Sequence, residues 1–445
     1  MPYFFQRMDG AKPPNTTTGC AMKNGLQQSV RDVFFAPMKN ALEAAKTTRE
    51  CRKFSDRQHL TSGVGRCLEP MRSGRDWIQR LGHVFSLKIR VSSFFESLAS
   101  SRRLRLAQEV NELVVSHNDG STTSGDDCFA EHSELDDFGI YAADGHYHKC
   151  SVHDAAIGGK RRAVGHFFAI NLRTQSMRHL DIARPAPGRK YEHDITALKR
   201  LSSQALRMGE PQGRKVILAY DPAVVDFLQW YKWKKAKGIY IVTREKKNMA
   251  LLCCGQRSFD RNDPRNNGVV SDEQVGTSKS TLIRRITYID PVDAKRYVFI
   301  TNEMTLPPGL IVFIYKKRWT IEKLFDQMKN KLMERKAWAK SATAKCQQAV
   351  FMCLAHNLML IFERKLKVEE GIADKKILDR RKARISENVK KAEAADRPMN
   401  PMLLAVRGSV QRSFQFIRWL RWVLVHRTLW GPAMDEPRPL MAEYL

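Results

Sequence analysis

The chain has 445 residues, enough for two or three domains and a sizeable buried core. Its 76 Lys and Arg stand against 47 Asp and Glu, a formal net charge of +29; so basic a surface seeks a polyanion, which puts nucleic acid ahead of a merely basic soluble protein or one lying on anionic membranes. No apolar run approaches the length of a bilayer span, MPYFFQRMDGAKPP lacks the pattern of a secretory signal, and the nine cysteines form no CxxC pair, so a cytoplasmic, reducing setting without membrane attachment is expected.

In chain order, residues 1–75 offer little to read; Pro13, Pro14 and Thr16 to Thr18 indicate a loose start. Residues 76–118 form a helical, candidate DNA-binding region, with Phe94, Leu98, Leu106, Val110 and Leu113 mostly three or four apart. Arg102, Arg103 and Arg105 within it give either a basic binding face or an ordinary solvated one. Residues 119–136 read as an acidic, polar linker. A core over 137–364 follows, with strands predicted at 138–143, 166–172, 177–183, 215–220 and 238–244 and helices at about 194–208 and 223–236. In KYEHDITAL, Glu192 and Asp194 are expected to start and cap the first of those helices. A small β-rich insertion is expected at about 245–310, then helices at 312–335 and 342–364. Residues 365–445 form a basic C-terminal helical region ending in FQFIRWLRWVLVHRTLW. The fold class expected is α/β with a mixed sheet.

The chemistry concentrates on the helix IVFIYKKRWTIEKLFDQMKNKL. Tyr315, Arg318, Glu322 and Lys329 project from it within an arc of roughly 60°. Ile321, Leu324, Phe325, Met328 and Leu332 supply the adjoining apolar stripe. A carboxylate in such a row can hold a divalent metal while Arg, Lys and Tyr grip phosphate oxygens; a plain surface pair, Arg318 with Glu322, is the competing reading. Asp144 closes the strand FGIYAAD and Asp221 closes KVILAYD, so both can converge with Glu322 at the carboxyl ends of adjacent strands. Two Asp and one Glu make a hard oxygen site suited to Mg²⁺ or Mn²⁺. Asp226 rivals Asp221 as the second carboxylate. His146, His148, Cys150 and His153 crowd potential zinc ligands onto one strand, or simply line a polar cleft.

These residues resemble the DDE transposases of bacterial insertion sequences, the insertion-sequence-four type, marked by Y-x2-R-x3-E-x6-K. Tyr315, Arg318, Glu322 and Lys329 carry that pattern complete, and Trp319 after the Arg, the Asp-Gly pair at Asp144 and Gly145, and GIYIVTR extend the likeness. The resemblance covers about residues 90–364. It departs after Asp221, where Pro222 and Ala223 stand in place of the usual Arg or Ala and Gly, and in the insertion, which has no Trp. Tyr288, Tyr297 and Phe299 are the candidates there for stacking a flipped base. The resemblance implies a ribonuclease-H-like catalytic core, Asp144, Asp221 and Glu322 as ligands of Mg²⁺ (or Mn²⁺), and Tyr315, Arg318 and Lys329 on DNA phosphates. It further implies cut-and-paste transposition through a hairpin, acting on terminal inverted repeats and target DNA, by a homodimer in the DNA complex. A metal-dependent nuclease that does not transpose and a decayed DNA-binding protein are the alternatives.

Overall fold

The structure is a computed structural model that describes residues 5–7, 28–69, 73–148, 164–184, 192–276, 282–332, 336–406 and 408–435. After a short strand β1 (Phe5–Arg7) come five helices: α1 (Val30–Ala44), α2 (Asp56–Leu68), α3 (Gly74–Val84), α4 (Val91–Leu98) and α5 (Ser101–Gly120). Two of them, α1 and α2, fall where the sequence reading assigns little structure. Arg102 and Arg103 on α5 do not form an open basic face. Both turn to Asp56, at 2.6 and 3.4 Å, and Arg103 is buried over the Phe54 ring.

The chain then enters one mixed sheet through β2 (Phe138–His148), β3 (Val164–Asn171) and β4 (Met177–Ile182). Helices α6 (Asp194–Arg200) and α7 (Ser203–Leu206) lead to β5 (Lys215–Ala219), and α8 (Phe227–Lys237) leads to β6 (Ile239–Arg244). Strands β2, β3 and β4 are neighbours in antiparallel pairing, whereas β5 runs parallel to β2 and β6 parallel to β5. This is the ribonuclease-H-like arrangement. β5 (KVILA) and the first four residues of β6 (IYIV) are largely apolar, as expected of central parallel strands against which helices pack. Alternation along β2 sends Ile140 and Ala142 to one core and Tyr141 and Ala143 to the other.

The insertion continues this sheet. Strands β7 (Leu252–Gln256), β8 (Val269–Gly276), β9 (Leu282–Ile289) and β10 (Arg296–Thr301) extend it in the order β4-β3-β2-β5-β6-β10-β9-β8-β7, with Phe299 opposite Arg244 at the join. Helix α9 (Pro308–Asn330) starts at a proline in its first turn, where the missing N–H costs nothing. Gly309 lies so close to the insertion loop that a Cβ there would meet the Arg265 carbonyl oxygen at 1.9 Å. Two apolar turns of α9 then lie on the sheet face that carries Ile140 and Ala142.

Helix α10 (Ala342–Glu369) is buried along most of its length and holds the helical and sheet parts together. Its Asn357 accepts from the Met177 N–H at 2.8 Å and donates to Asn111 Oδ1 at 3.0 Å, joining β4 to α5. A strand β11 (Ile372–Asp374), paired with β1, precedes the basic helix α11 (Lys375–Glu393). Helices α12 (Phe414–Val425) and α13 (Trp430–Asp435) follow; the aromatic side of α12 is packed internally beside α1, where Arg31 Nε donates to the Leu424 carbonyl at 2.9 Å. Among the described residues no helix is long and apolar enough to cross a membrane, and no disulfide joins the cysteines.

Candidate active site

Sequence reasoning places Asp144 at the end of its strand, but β2 runs on to His148, pairing His146 with His166 and His148 with Val164. Asp144 therefore sits inside the strand, on the α9 side. Asp221, two residues beyond the last residue of the parallel neighbour β5, starts a short 3₁₀ turn, its Oδ1 accepting from the Ala223 N–H at 2.8 Å. Oxygens of Asp144, Asp221 and Asp194 all lie within 4.8 Å of one another. Burial pushes the Asp144 carboxyl up to about 7, against the pull of Arg318 and with the help of Asp221's charge. Burial, then Asp221, likewise push Asp194 up to about 6. Both shifts report negative charge held close together away from water, an arrangement that a divalent cation relieves.

Above this group runs the α9 row. The Arg318 guanidinium donates to Asp144 Oδ2 at 3.2 Å and to Glu322 Oε1 at 2.7 Å. Glu322 is thus joined to Asp144 through Arg318, and it stands outside the three-aspartate group. The Tyr315 ring, buried against Phe299 at 5.1 Å, lies under the Arg318 guanidinium at 5.5 Å. Lys329, two turns beyond Glu322, is exposed.

Asp226 is not part of the group. It caps α8 by accepting from the Gln229 N–H at 3.0 Å and pairs with Lys199, and these bonds hold its carboxyl below the ordinary range despite the opposing effect of burial. The residue missed by sequence reasoning is Asp194. Glu192 does take a local role, accepting from the Arg184 N–H at 2.7 Å and pairing with Arg200. Asp194, however, is the first residue of α6 and not its cap, which is His193. Its side chain turns to the strand ends. The only sequence signal was its place in a polar word just before a helix. His146 and His148 are buried, His146 stacking on Phe325 at 4.7 Å, and neither belongs to a group of three close metal ligands among the described residues. Cys150 and His153 lie outside the described residues.

With one carboxylate on β2, a second just beyond its parallel neighbour β5, a third beside them and a glutamate helix above, the comparison with known families is direct: the model of the transposase DDE domain matches residues 131–358, which include every carboxylate just described. The chain belongs to the DDE transposase family. A protein of Sinorhizobium fredii (strain NBRC 101917 / NGR234) named "Putative transposase y4zB" is 29% identical over 151 residues, covering 33% of this chain and 42% of that protein. The chain thus spans less than half the length of that relative.

For a DDE transposase family member, the surroundings of the row are notable for their cations. A groove of about 780 Å³ leads from Tyr315 and Arg318 past Trp319 and Lys323 to Arg380 and Arg384 of α11. Burial and the charges of Arg381, Arg384 and Lys317 hold the Lys323 ammonium below its ordinary value, as expected where like charges are crowded. Trp319 is 55% exposed in this groove. Tyr297 and Phe299 line its other end with their rings 6.2 Å apart and nearly parallel, whereas Tyr288 is fully buried under Lys316.

Proposed function

We propose that the protein is a cut-and-paste DNA transposase that cleaves transposon ends and joins them to target DNA, using Mg²⁺ (or Mn²⁺) held by Asp144, Asp221 and Glu322. The observation that carries this reading is the convergence of Asp144 and Asp221 from parallel strands beneath Arg318 and Glu322 of α9. The donor set is all carboxylate, which suits a hard divalent ion, and the buried Tyr220 hydroxyl beside it has no hydrogen-bond partner among the described residues. When bound, the metal lowers the pKa of an attacking water and stabilises charge on the phosphoryl oxygens.

The remaining work falls to the chain itself. Arg318 spans two carboxylates and is placed to exchange one of them for a phosphate oxygen. Tyr315 backs the guanidinium and fixes its direction. Lys329 and the cations of the α9–α11 groove hold the strand on either side, so that the scissile phosphate is oriented before reaction. Hydrolysis at the transposon end, attack of the freed 3′-hydroxyl on the opposite strand to form a hairpin, reopening and joining to target are all in-line displacements at phosphorus, so one site can serve each. In this reading residues 137–364 are the catalytic core and 245–310 its insertion. DNA contact comes from residues 76–118 and more strongly from the groove, since Arg102 and Arg103 are engaged internally. A homodimer in the DNA complex would use surfaces other than the packed side of α12.

The test is cleavage, with Mg²⁺, of DNA carrying the element's own terminal inverted repeats. Glu322→Gln is expected to lose cleavage by about 10³-fold or more, roughly 4 kcal/mol of transition-state stabilisation, with DNA binding retained. Unchanged cleavage would sink the assignment. Hairpin ends on the excised product mark a transposase, and open ends alone mark a nuclease.

A further inference from the structure

We propose that Asp194 is a fourth carboxylate of the metal site, a direct ligand of a divalent cation together with Asp144 and Asp221. The inference rests on the reading of those two residues as metal ligands and adds a residue to them.

Geometry is the first ground. Asp194 comes from α6, whose Leu198 packs in the core on the sheet face opposite α9, yet its carboxylate reaches the strand ends and lies within 4.8 Å of both Asp144 and Asp221. Glu322, held by Arg318, is not in that group, so Asp194 supplies its third corner. The Tyr147 hydroxyl donates to Asp194 Oδ1 at 3.3 Å, which helps to orient the carboxylate.

A second, independent observation is Tyr220. The residue is 0% exposed, its hydroxyl has no hydrogen-bond partner among the described residues, and the charges acting on it are Asp194 first, then Asp144 and Asp221. A buried hydroxyl without a partner is costly, and a hydrated cation seated among the three carboxylates would satisfy it.

The competing reading makes Asp194 an ordinary acidic residue in a helix's first turn. The neighbouring Asp226 shows what that looks like: it caps its helix and has a cationic partner in Lys199. Among the described residues Asp194 has no ion pair. Among the described residues, four carboxylates, Glu322 included, against the one guanidinium of Arg318 also leave more negative charge than a single divalent cation balances, which favours two cations at the site.

The experiment uses the full chain and Mn²⁺. Binding is followed by loss of the free-ion EPR signal, and stability by thermal unfolding with and without the metal. Asp194→Asn is expected to weaken Mn²⁺ at least about tenfold, in the range that even supporting residues of metal sites show. Without metal it should melt above the wild type, because a like charge leaves a crowded group, and it should gain less from added Mn²⁺. Asp194→Glu, which keeps the charge and moves the oxygens, should fall between the two, and it reads the same affinity if Asp194→Asn does not fold. Wild-type Mn²⁺ affinity in either variant overturns the proposal. So does an Asp194→Asn protein that melts lower without metal and keeps the full Mn²⁺ shift, which marks a helix-start role. If Asp144→Asn and Asp221→Asn also bind Mn²⁺ normally, the metal site itself is wrong; if they lose it while Asp194→Asn keeps it, only Asp194 is.

Discussion

Two regions of the same sheet bury charge and treat it in opposite ways. In the insertion, Arg284 (2% exposed) donates to both oxygens of Asp272 (1% exposed) at 2.9 and 2.6 Å and lies 3.6 Å from Glu303. Glu303 in turn accepts from the Thr305 and Leu306 N–H groups at 2.7 and 2.9 Å. Charge and hydrogen bonds are closed within the protein. Where β5 ends, three aspartates crowd together, and among the described residues the one cation in contact, Arg318, is shared with Glu322. A closed network makes structure; one left short of positive charge is built to receive it from outside.

That contrast can be broken by experiment. Arg284→Met leaves Glu303 buried without the Arg284 guanidinium and Asp272 with the more distant Arg257, 3.5 Å away, and should cost about 3–5 kcal/mol, read as a large fall in melting temperature or denaturation midpoint. Asp144→Asn at the site should cost little or no stability while removing cleavage. Equal destabilisation by the two would erase the distinction.

A middle-sized effect is expected from pH. Free carboxylates titrate near 3.9, and those of Asp144 and Asp194 are raised to about 7 and about 6. Between about pH 4 and 7 the folded, metal-free protein thus binds more protons at these groups than the unfolded chain does, and their contribution makes stability fall as pH rises through that window. Mn²⁺ must displace those protons, so its affinity should drop several-fold or more from pH 8 to pH 6. A pH-independent affinity, measured by calorimetry, would mean that the two groups do not meet the metal.

The smallest effect belongs to the groove. Arg380→Ala or Arg384→Ala should weaken DNA binding a few-fold, without sequence preference, and lower the salt slope by about one unit each. An unchanged slope would remove α11 from the DNA path.

What could be read in the sequence follows from what is local. Helix α9 announces itself by periodicity, and β5 and β6 by their apolar runs. Asp144, Asp221 and Glu322 could be singled out because each stands at a fixed place on such an element. The clustering of Asp194 with Asp144 and Asp221 depends on α6 folding back towards the end of β5, which no local pattern records. The early helices were hidden for another reason. α1 contains Pro37, and α2 contains Gly63 and Gly65, all poor helix formers. Tertiary packing overrides them: a Cβ at Gly63 would come within 2.4 Å of the Phe351 ring on α10, so the glycine is what lets these helices touch.

The seam between α1 and α12 bears on how the chain is made. Ser29 bridges to Leu429, and Phe34 shares a core with Trp419 and Val423. At roughly 5–20 residues per second, α1 leaves the ribosome tens of seconds before α12 exists to meet it. Until then part of its apolar side has no cover and is open to chaperones, proteases and neighbouring chains. A copy of the gene cut short ahead of Phe414 would stay in that state, so a protease-rich cell would clear it while sparing full-length protein.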